Sequence, residues 1–361
     1  MVYKRKNLQN YSFNYNKSFY EELKEGENDF KIAIDRQRYN LVRLDGASFS
    51  KQFKLRYARF ARKLPYNPYL VFAMQQTALD AMKEFPFISY AYSFSDEITF
   101  LIDNSLIDFR KMSTLEKMIS ILSSFVSSAF NTNLYRIIDL KVDELLSPDG
   151  KIDFDKLKIY QQFFKNSIYM LNVAKKNKIP LAVSGVDKSE EIDDIYKIFK
   201  NDIPKRVKKE ELEQLISLIN KEMPFSEYKN HIFYFDARLI SYEIESKVYQ
   251  YFKSRQCFAI YKFIEDLALS LIENPVIFQG NKTTNMYFKM MHENGIPSSV
   301  YTLFDDNLKF GTSYYKDSAN SITTYVAKEL REEDDEKLIE TISNMLDEDS
   351  LGLPKNKPTL Y

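Results

Sequence analysis

The sequence predicts an α+β fold with a mainly antiparallel sheet and a helical insertion. Three observations predict it. Strand-like and helix-like stretches follow the order strand, helix, hairpin, helix, strand, helix. The hairpin, residues 88–102, brings two apolar strands together across a tip of small polar and acidic residues. Residues 131–230 then change character and supply amphipathic helices between two strand-bearing parts.

Each element has a local cause. "YNLVRLDG", 39–46, is a short buried strand ending on Asp45-Gly46. Asn67-Pro68 starts a helix, because proline in the first turn has no N–H to lose. That helix runs to about Phe85 with a stripe of Phe72, Ala78, Ala81, Met82 and Phe85. Ser113 and Glu116 make a capping-box pattern for the next helix, whose apolar face is Leu115, Met118, Ile119, Leu122, Phe125, Val126 and Ala129. Helices are expected over 154–177, 188–200 and 207–222, a strand in 231–243, then helices over 245–273 and 283–294. The predicted organisation is 1–130 and 231–318 as two parts of one α+β domain, 131–230 as a helical insertion, and 319–361 as a helical tail.

Composition narrows the chemistry. The 361 residues are 44% hydrophobic and 28% charged, which suits a globular chain. No apolar run is long enough to span a membrane, and the polar start has no signal-peptide pattern. A lone cysteine, Cys257, excludes an intrachain disulfide and fits a reducing cytoplasm. With it and two histidines, His231 and His292, no Cys/His-rich zinc site can be built. A catalytic metal must then be held mainly by oxygen, which favours Mg²⁺ or Mn²⁺. The 51 basic and 51 acidic residues cancel, so only a local patch could attract nucleic acid. The insertion, with 18 basic and 17 acidic residues, is no such patch and suits a lid or an oligomer contact.

Two acids, Asp96 and Glu97, sit inside the apolar stretch "YAYSFSDEITFLI", 90–102. They could simply mark a turn. A third acid, Asp45, ends the first strand 51 positions earlier, and a sheet placing that strand beside the hairpin brings Asp45 and Asp96 to one edge. Two converging carboxylates and a backbone carbonyl suit a pair of hard dications roughly 3.5–4 Å apart, as used in phosphoryl or nucleotidyl transfer. Gly46, one of only eight glycines, would let backbone approach metal or phosphate. Alternation along a strand argues against Asp96 and Glu97 both being ligands unless the turn redirects one. The run 51–63, "KQFKLRYARFARK", carries six cations and no acid, as a solvated helix face or a phosphate-binding patch would. Phe49, Phe53, Tyr57 and Phe60 are core or base-stacking candidates.

"VRLDGASF" with "AYSFSDEITFLI" resembles the histidine-tRNA guanylyltransferase superfamily, enzymes that add nucleotides in the 3′-to-5′ direction. "FYEELKEGE" (19–27), "YFDARLI" (234–240), "YFKSRQ" (251–256), "QGNKTTNMYFKMMHENGI" (279–296) and "LKFGT" (308–312) resemble further family stretches in order, closest to the bacterial like-proteins. The resemblance implies a polymerase- and cyclase-like palm. Asp45, the Gly46 carbonyl and Asp96 would hold two Mg²⁺, with Glu97 as a supporting catalytic acid. Arg43, Asp45, Gly46, Ala47, Ser48, Phe49, Ser50, Lys63, Ser95, Asp96, Lys282 and Asn285 would bind nucleotide. Arg255, Asp236 and Arg238 are carried over for triphosphate, RNA or structural roles, and a plain ion pair suits the last two equally.

The implied activity is Mg²⁺-dependent addition of nucleotides to the 5′ end of tRNA or a related RNA, with ATP and GTP or other nucleoside triphosphates as substrates. A cytoplasmic homo-oligomer without a membrane partner is expected. A palm-fold nucleotide cyclase and a non-catalytic nucleotide or RNA binder are the alternatives. The chain departs from the family pattern at Ser50, where members have His, and at Ser254, where they have Trp. It departs again over "CFAIYKF" (257–263), where they have polar residues, and at "KLPYNP" (63–68), which keeps only part of their element.

Overall fold

A computed structural model of the chain describes residues 33–49, 67–108, 114–176, 207–222, 231–272, 284–297, 300–301, 304, 306–317 and 319–326. Among the described residues six strands form one antiparallel sheet in the order β4-β1-β3-β2-β5-β6. They are β1 (Tyr39–Gly46), β2 (Ile88–Phe94), β3 (Glu97–Ile102), β4 (Phe235–Tyr242), β5 (Thr312–Lys316) and β6 (Ile322–Tyr325). The helices are α1 (Pro68–Glu84), α2 (Leu115–Ile138), α3 (Phe154–Lys176), α4 (Lys209–Glu222), α5 (Glu245–Leu271), α6 (Thr284–Glu293) and the short α7 (Asp306–Phe310). The α+β class and the antiparallel sheet are as the sequence predicts.

The two-residue period of the strands sorts their side chains between two helical layers. Val42, Leu44, Ala91, Ile98, Phe100 and Ile102 face the large core with α1 and α2. Leu41, Tyr90, Tyr92, Phe94 and Leu101 face the other side and pack with Val248, Phe252 and Ala259 of α5. Both faces of β2 and β3 are therefore covered, which is why 88–102 is apolar almost throughout.

Helix α1 begins where Asn67-Pro68 predicts: the Asn67 side chain accepts the Tyr69 N–H at 2.9 Å. At its other end Lys316 of β5 donates to the carbonyls of Met82 and Phe85. Helix α2 starts one residue later than the capping pattern suggests. Its N-cap is Thr114, which makes no side-chain cap bond, while Ser113 lies outside the described residues. A polar stripe on α2 holds the chain entering β4. The Ser123 and Asn131 side chains donate to the carbonyls of Phe235 and Phe233, and Tyr135 to that of His231. In return Ser127 and Asn131 accept the N–H groups of Phe235 and Phe233. The i, i+4 spacing of these four residues puts them on one side of the helix.

The described helices of 131–230, α3 and α4, pack against the main core. Tyr160 of α3 stacks on Phe72 of α1 with ring centroids 5.3 Å apart, and Phe163 meets Tyr69 edge-on at 4.9 Å. Leu212, Leu215 and Leu218 of α4 belong to the same buried cluster. The helix expected over 188–200 lies outside the described residues. The tail expected from 319 opens as a strand, not a helix. The β-branched run at 322–324 pairs with β5, Ser313 opposite Tyr325 and Lys316 opposite Ile322.

Candidate active site

Register brings the acids together. In the β1–β3 pair Asp45 lies opposite Glu97 and Arg43 opposite Thr99. In the β1–β4 pair Asp45 lies opposite Asp236 and Arg43 opposite Arg238. Opposed residues share a face, so Asp236, Asp45 and Glu97 form one row and Arg238, Arg43 and Thr99 the next. This is the face that α5 crosses.

The hairpin loop adds the fourth acid. Phe94 pairs with Glu97, leaving Ser95 and Asp96 as a two-residue connection, with Ser95 at φ 49°. The loop is tied to β1 by the Gly46 N–H, which donates to the Asp96 carbonyl at 2.9 Å. Asp96 thus stands in the loop, outside the strand alternation, where the charge of Asp45 acts on its carboxyl. Its carboxylate accepts the Ser95 hydroxyl at 3.3 Å. Burial, and then the charge of Asp45, push the Asp96 carboxyl up to about 6. Lys262 opposes that shift, but its ammonium is already paired with Glu265 at 2.9 Å and Asp266 at 3.0 Å.

Glu97 has a different setting. Its side chain is only 5% exposed and meets two guanidinium groups. Arg255 of α5 donates from Nε to Oε1 at 2.8 Å and from Nη2 to Oε2. Arg43 lies with Nε 3.4 Å from Oε2, while its Nη2 donates to Asp45 Oδ2 at 3.1 Å. Burial raises the Glu97 carboxyl above the usual range despite both arginines.

Other expected site residues fall in several places. Phe49 is core: its ring packs against Phe130, Phe233 and Phe235 with centroids 5.0–5.3 Å away, so it does not stack on a ligand. The same ring gives Gly46 a packing reason. A Cβ there would sit 2.5 Å from the Phe49 ring. Ala47 donates its N–H to the Tyr234 carbonyl at 2.8 Å, and Ser48 turns the chain at φ 63°. Asp236 pairs with Arg238 at 3.4 Å, both exposed on β4 at the edge of the sheet. Asn285 is exposed on the first turn of α6. Ser50, Lys63, Lys282, Phe53, Tyr57, Phe60 and the whole cationic run 51–63 lie outside the described residues.

The clamp of Arg255 on Glu97 joins positions 158 apart and is not written in either local motif. A signal for it exists: Val248, Phe252, Arg255 and Ala259 follow helical spacing on the face of α5 toward the sheet, so a guanidinium interrupts an apolar stripe.

Asp45 and Asp96, with the Gly46 carbonyl beside them, are the hard oxygen donors that Mg²⁺ takes. No group of three His, Cys, Asp or Glu side chains with metal-binding geometry occurs among the described residues. A Mg²⁺ site needs only one or two carboxylates when phosphates and water complete it. The crowding of Asp45 on a partly desolvated Asp96 is the electrostatic setting that a dication relieves. The residues present fit the group.

Residues 20–156 match the family model described as "Thg1: tRNAHis guanylyltransferase". The matched segment contains Asp45, Asp96 and Glu97 and ends before α5. An uncharacterized protein of Acanthamoeba polyphaga mimivirus is 32% identical over 169 residues, 42% of this chain. The chain spans about half of that relative's length, 54%. A solved bacterial tRNA(His) guanylyltransferase (Thg1)-like protein in complex with ATP is 16% identical. It aligns over 85% of this chain and 90% of its own, with TM-score 0.46. The tRNA(His) guanylyltransferase from Saccharomyces cerevisiae is 14% identical over 83% of this chain and 94% of its own, with TM-score 0.42. Among the described residues no helix is long and apolar enough to cross a membrane.

Proposed function

We propose that this chain is a Mg²⁺-dependent nucleotidyltransferase that adds nucleotides in the 3′-to-5′ direction to the 5′ end of tRNA or a related RNA. The observation that carries the proposal is the convergence of Asp45 and Asp96, made by the β1–β3 register and by the bond from Gly46 to the Asp96 carbonyl. The family match over 20–156 supports the reaction class.

Asp45, Asp96 and the Gly46 carbonyl would hold two Mg²⁺, which when bound supply Lewis acidity at the attacking and leaving oxygens. The protein's own part is orientation. Arg43 fixes one oxygen of Asp45, and the Gly46 bond holds the hairpin loop in register with β1. The run 51–63 would bring cations to the phosphates. With a 5′-monophosphorylated RNA, ATP transfers AMP to the 5′ phosphate and releases pyrophosphate. The 3′-hydroxyl of an incoming nucleoside triphosphate then attacks that phosphorus, forms the new phosphodiester and expels AMP. A 5′-triphosphate end needs no activation and releases pyrophosphate directly.

The departures at Ser50 and 257–263 favour repair of shortened 5′ ends by pairing with the opposite strand over strict selection of histidine tRNA. The test is to incubate the full chain with labelled triphosphates and Mg²⁺, with and without 5′-monophosphorylated tRNA. Label on the RNA 5′ end supports the proposal. Cyclic nucleotide made without RNA, or no product, contradicts it.

A further inference from the structure

We infer that Arg255 is a positioning residue: by engaging both carboxylate oxygens of Glu97 it leaves the Arg43 fork to hold Asp45. The inference rests on the reading of Asp45 and Asp96 as cation ligands, and it concerns a residue outside the matched segment 20–156.

Glu97 is a carboxylate almost wholly removed from water, and such a group must be matched by charge and hydrogen bonds. Arg255 meets it fork to fork, through Nε on Oε1 and Nη2 on Oε2. The guanidinium is held in turn by aromatic rings, its carbon 5.3 Å from the Phe94 centroid and 4.8 Å from that of Phe258. Arg43 stands between the two acids. Its Nη2 is 3.1 Å from Asp45 Oδ2, whereas its Nε lies 3.4 Å from Glu97 Oε2 and makes no hydrogen bond.

Removing Arg255 would leave Glu97 with no donor on either oxygen. Arg43, already 3.4 Å away, is placed to turn its fork onto that buried charge, and Asp45 would lose its anchor. Stability alone does not explain the clamp, because buried ion pairs replaced by apolar groups of similar volume are often neutral or better. A role in placing Asp45 does explain it.

The test measures Mn²⁺ binding to the full chain without nucleotide, by the EPR signal of free Mn²⁺, with thermal melting run in parallel. Arg255→Met is expected to weaken binding by about 10- to 100-fold, as loss of a group orienting a metal ligand does. The double variant Glu97→Gln with Arg255→Met removes the charge that would recruit Arg43, so it is expected to bind within about threefold of wild type, a coupling between neighbouring sites. Should Arg255→Met fail to fold, the double variant, which buries no unpaired carboxylate at 97, decides alone. Unchanged binding in Arg255→Met, or a double variant that has lost affinity, would overturn the inference. The second result would mean that Glu97 itself holds the cation. Wild-type protein that binds no Mn²⁺ would instead overturn the cation-site reading beneath it.

Discussion

The Gly46 N–H donates to the carbonyl of Asp96 at 2.9 Å, and this bond joins the end of β1 to the tip of the β2–β3 hairpin. It sets two carboxylates at one edge of the sheet, one of them at Asp45 immediately before the glycine. The site is thus a consequence of strand register, with Asp45 near the end of β1 and Asp96 in the loop that joins β2 to β3.

Substituting either acid should remove activity without removing the fold. Asp45→Ala and Asp96→Ala are each expected to lower nucleotide incorporation by about 10³-fold or more, equivalent to several kcal/mol at about 1.4 kcal/mol per tenfold. Thermal melting should show both folded, since loss of one of two crowded carboxylates relieves repulsion in the metal-free protein. Near-normal turnover in either variant would contradict the assignment.

The raised Asp96 carboxyl has a stability signature. Its folded value is about 6, against about 3.9 for an unperturbed carboxyl. Between these values the native state holds a proton that the unfolded state has released. The contribution of Asp96 is therefore present below about pH 4 and lost as pH rises through about 6. Chemical denaturation of metal-free protein from pH 4 to 7 should show wild type losing stability relative to Asp96→Asn. Parallel profiles would contradict the shift.

Gly46 should tolerate no side chain while Phe49 keeps its ring. A Cβ there would meet the ring at 2.5 Å, so Gly46→Ala is expected to cost about 1–3 kcal/mol in urea denaturation. Phe49→Ala alone should cost about 3–5 kcal/mol through the emptied space among Phe130, Phe233 and Phe235. The double variant should be less destabilised than the sum of the two. Strict additivity would show that the clash is relieved elsewhere.

The insertion should prove inseparable from the core. Phe163→Ala is expected to cost about 3–5 kcal/mol, because the ring lies against Tyr69 and Phe72 of α1. Replacing 139–230 by a short Gly/Ser linker would expose those aromatic residues and should give insoluble protein. A soluble, cooperatively melting deletion would show that the contacts of α3 and α4 are dispensable.

Much of this was legible from local chemistry. Asn67-Pro68 before an apolar stripe of helical period starts a helix, and Ser-Asp-Glu between two apolar runs has few places to be except a hairpin tip. Asp45-Gly46 after a buried strand places an acid at a sheet edge. What was not legible depends on distant partners. Glu97 looked like a third site acid because nothing near it in sequence shows that Arg255 closes over it. Gly46 looked like a glycine kept for a ligand, whereas the ring of Phe49 three residues on already demands it. The strand at 322–325 was hidden because its pairing partner, not its own short pattern, makes it a strand.

Addition of nucleotides to an RNA 5′ end through Asp45 and Asp96 is the proposed activity. The most direct measurement offers the full chain a 5′-shortened tRNA bearing each of the four bases opposite the gap, with all four triphosphates and Mg²⁺, and maps the added nucleotide. The predicted result is a 5′ addition that pairs with the opposing base and is lost in Asp96→Ala. Guanosine added regardless of the opposing base, label at the 3′ end, or addition that survives in Asp96→Ala would contradict it.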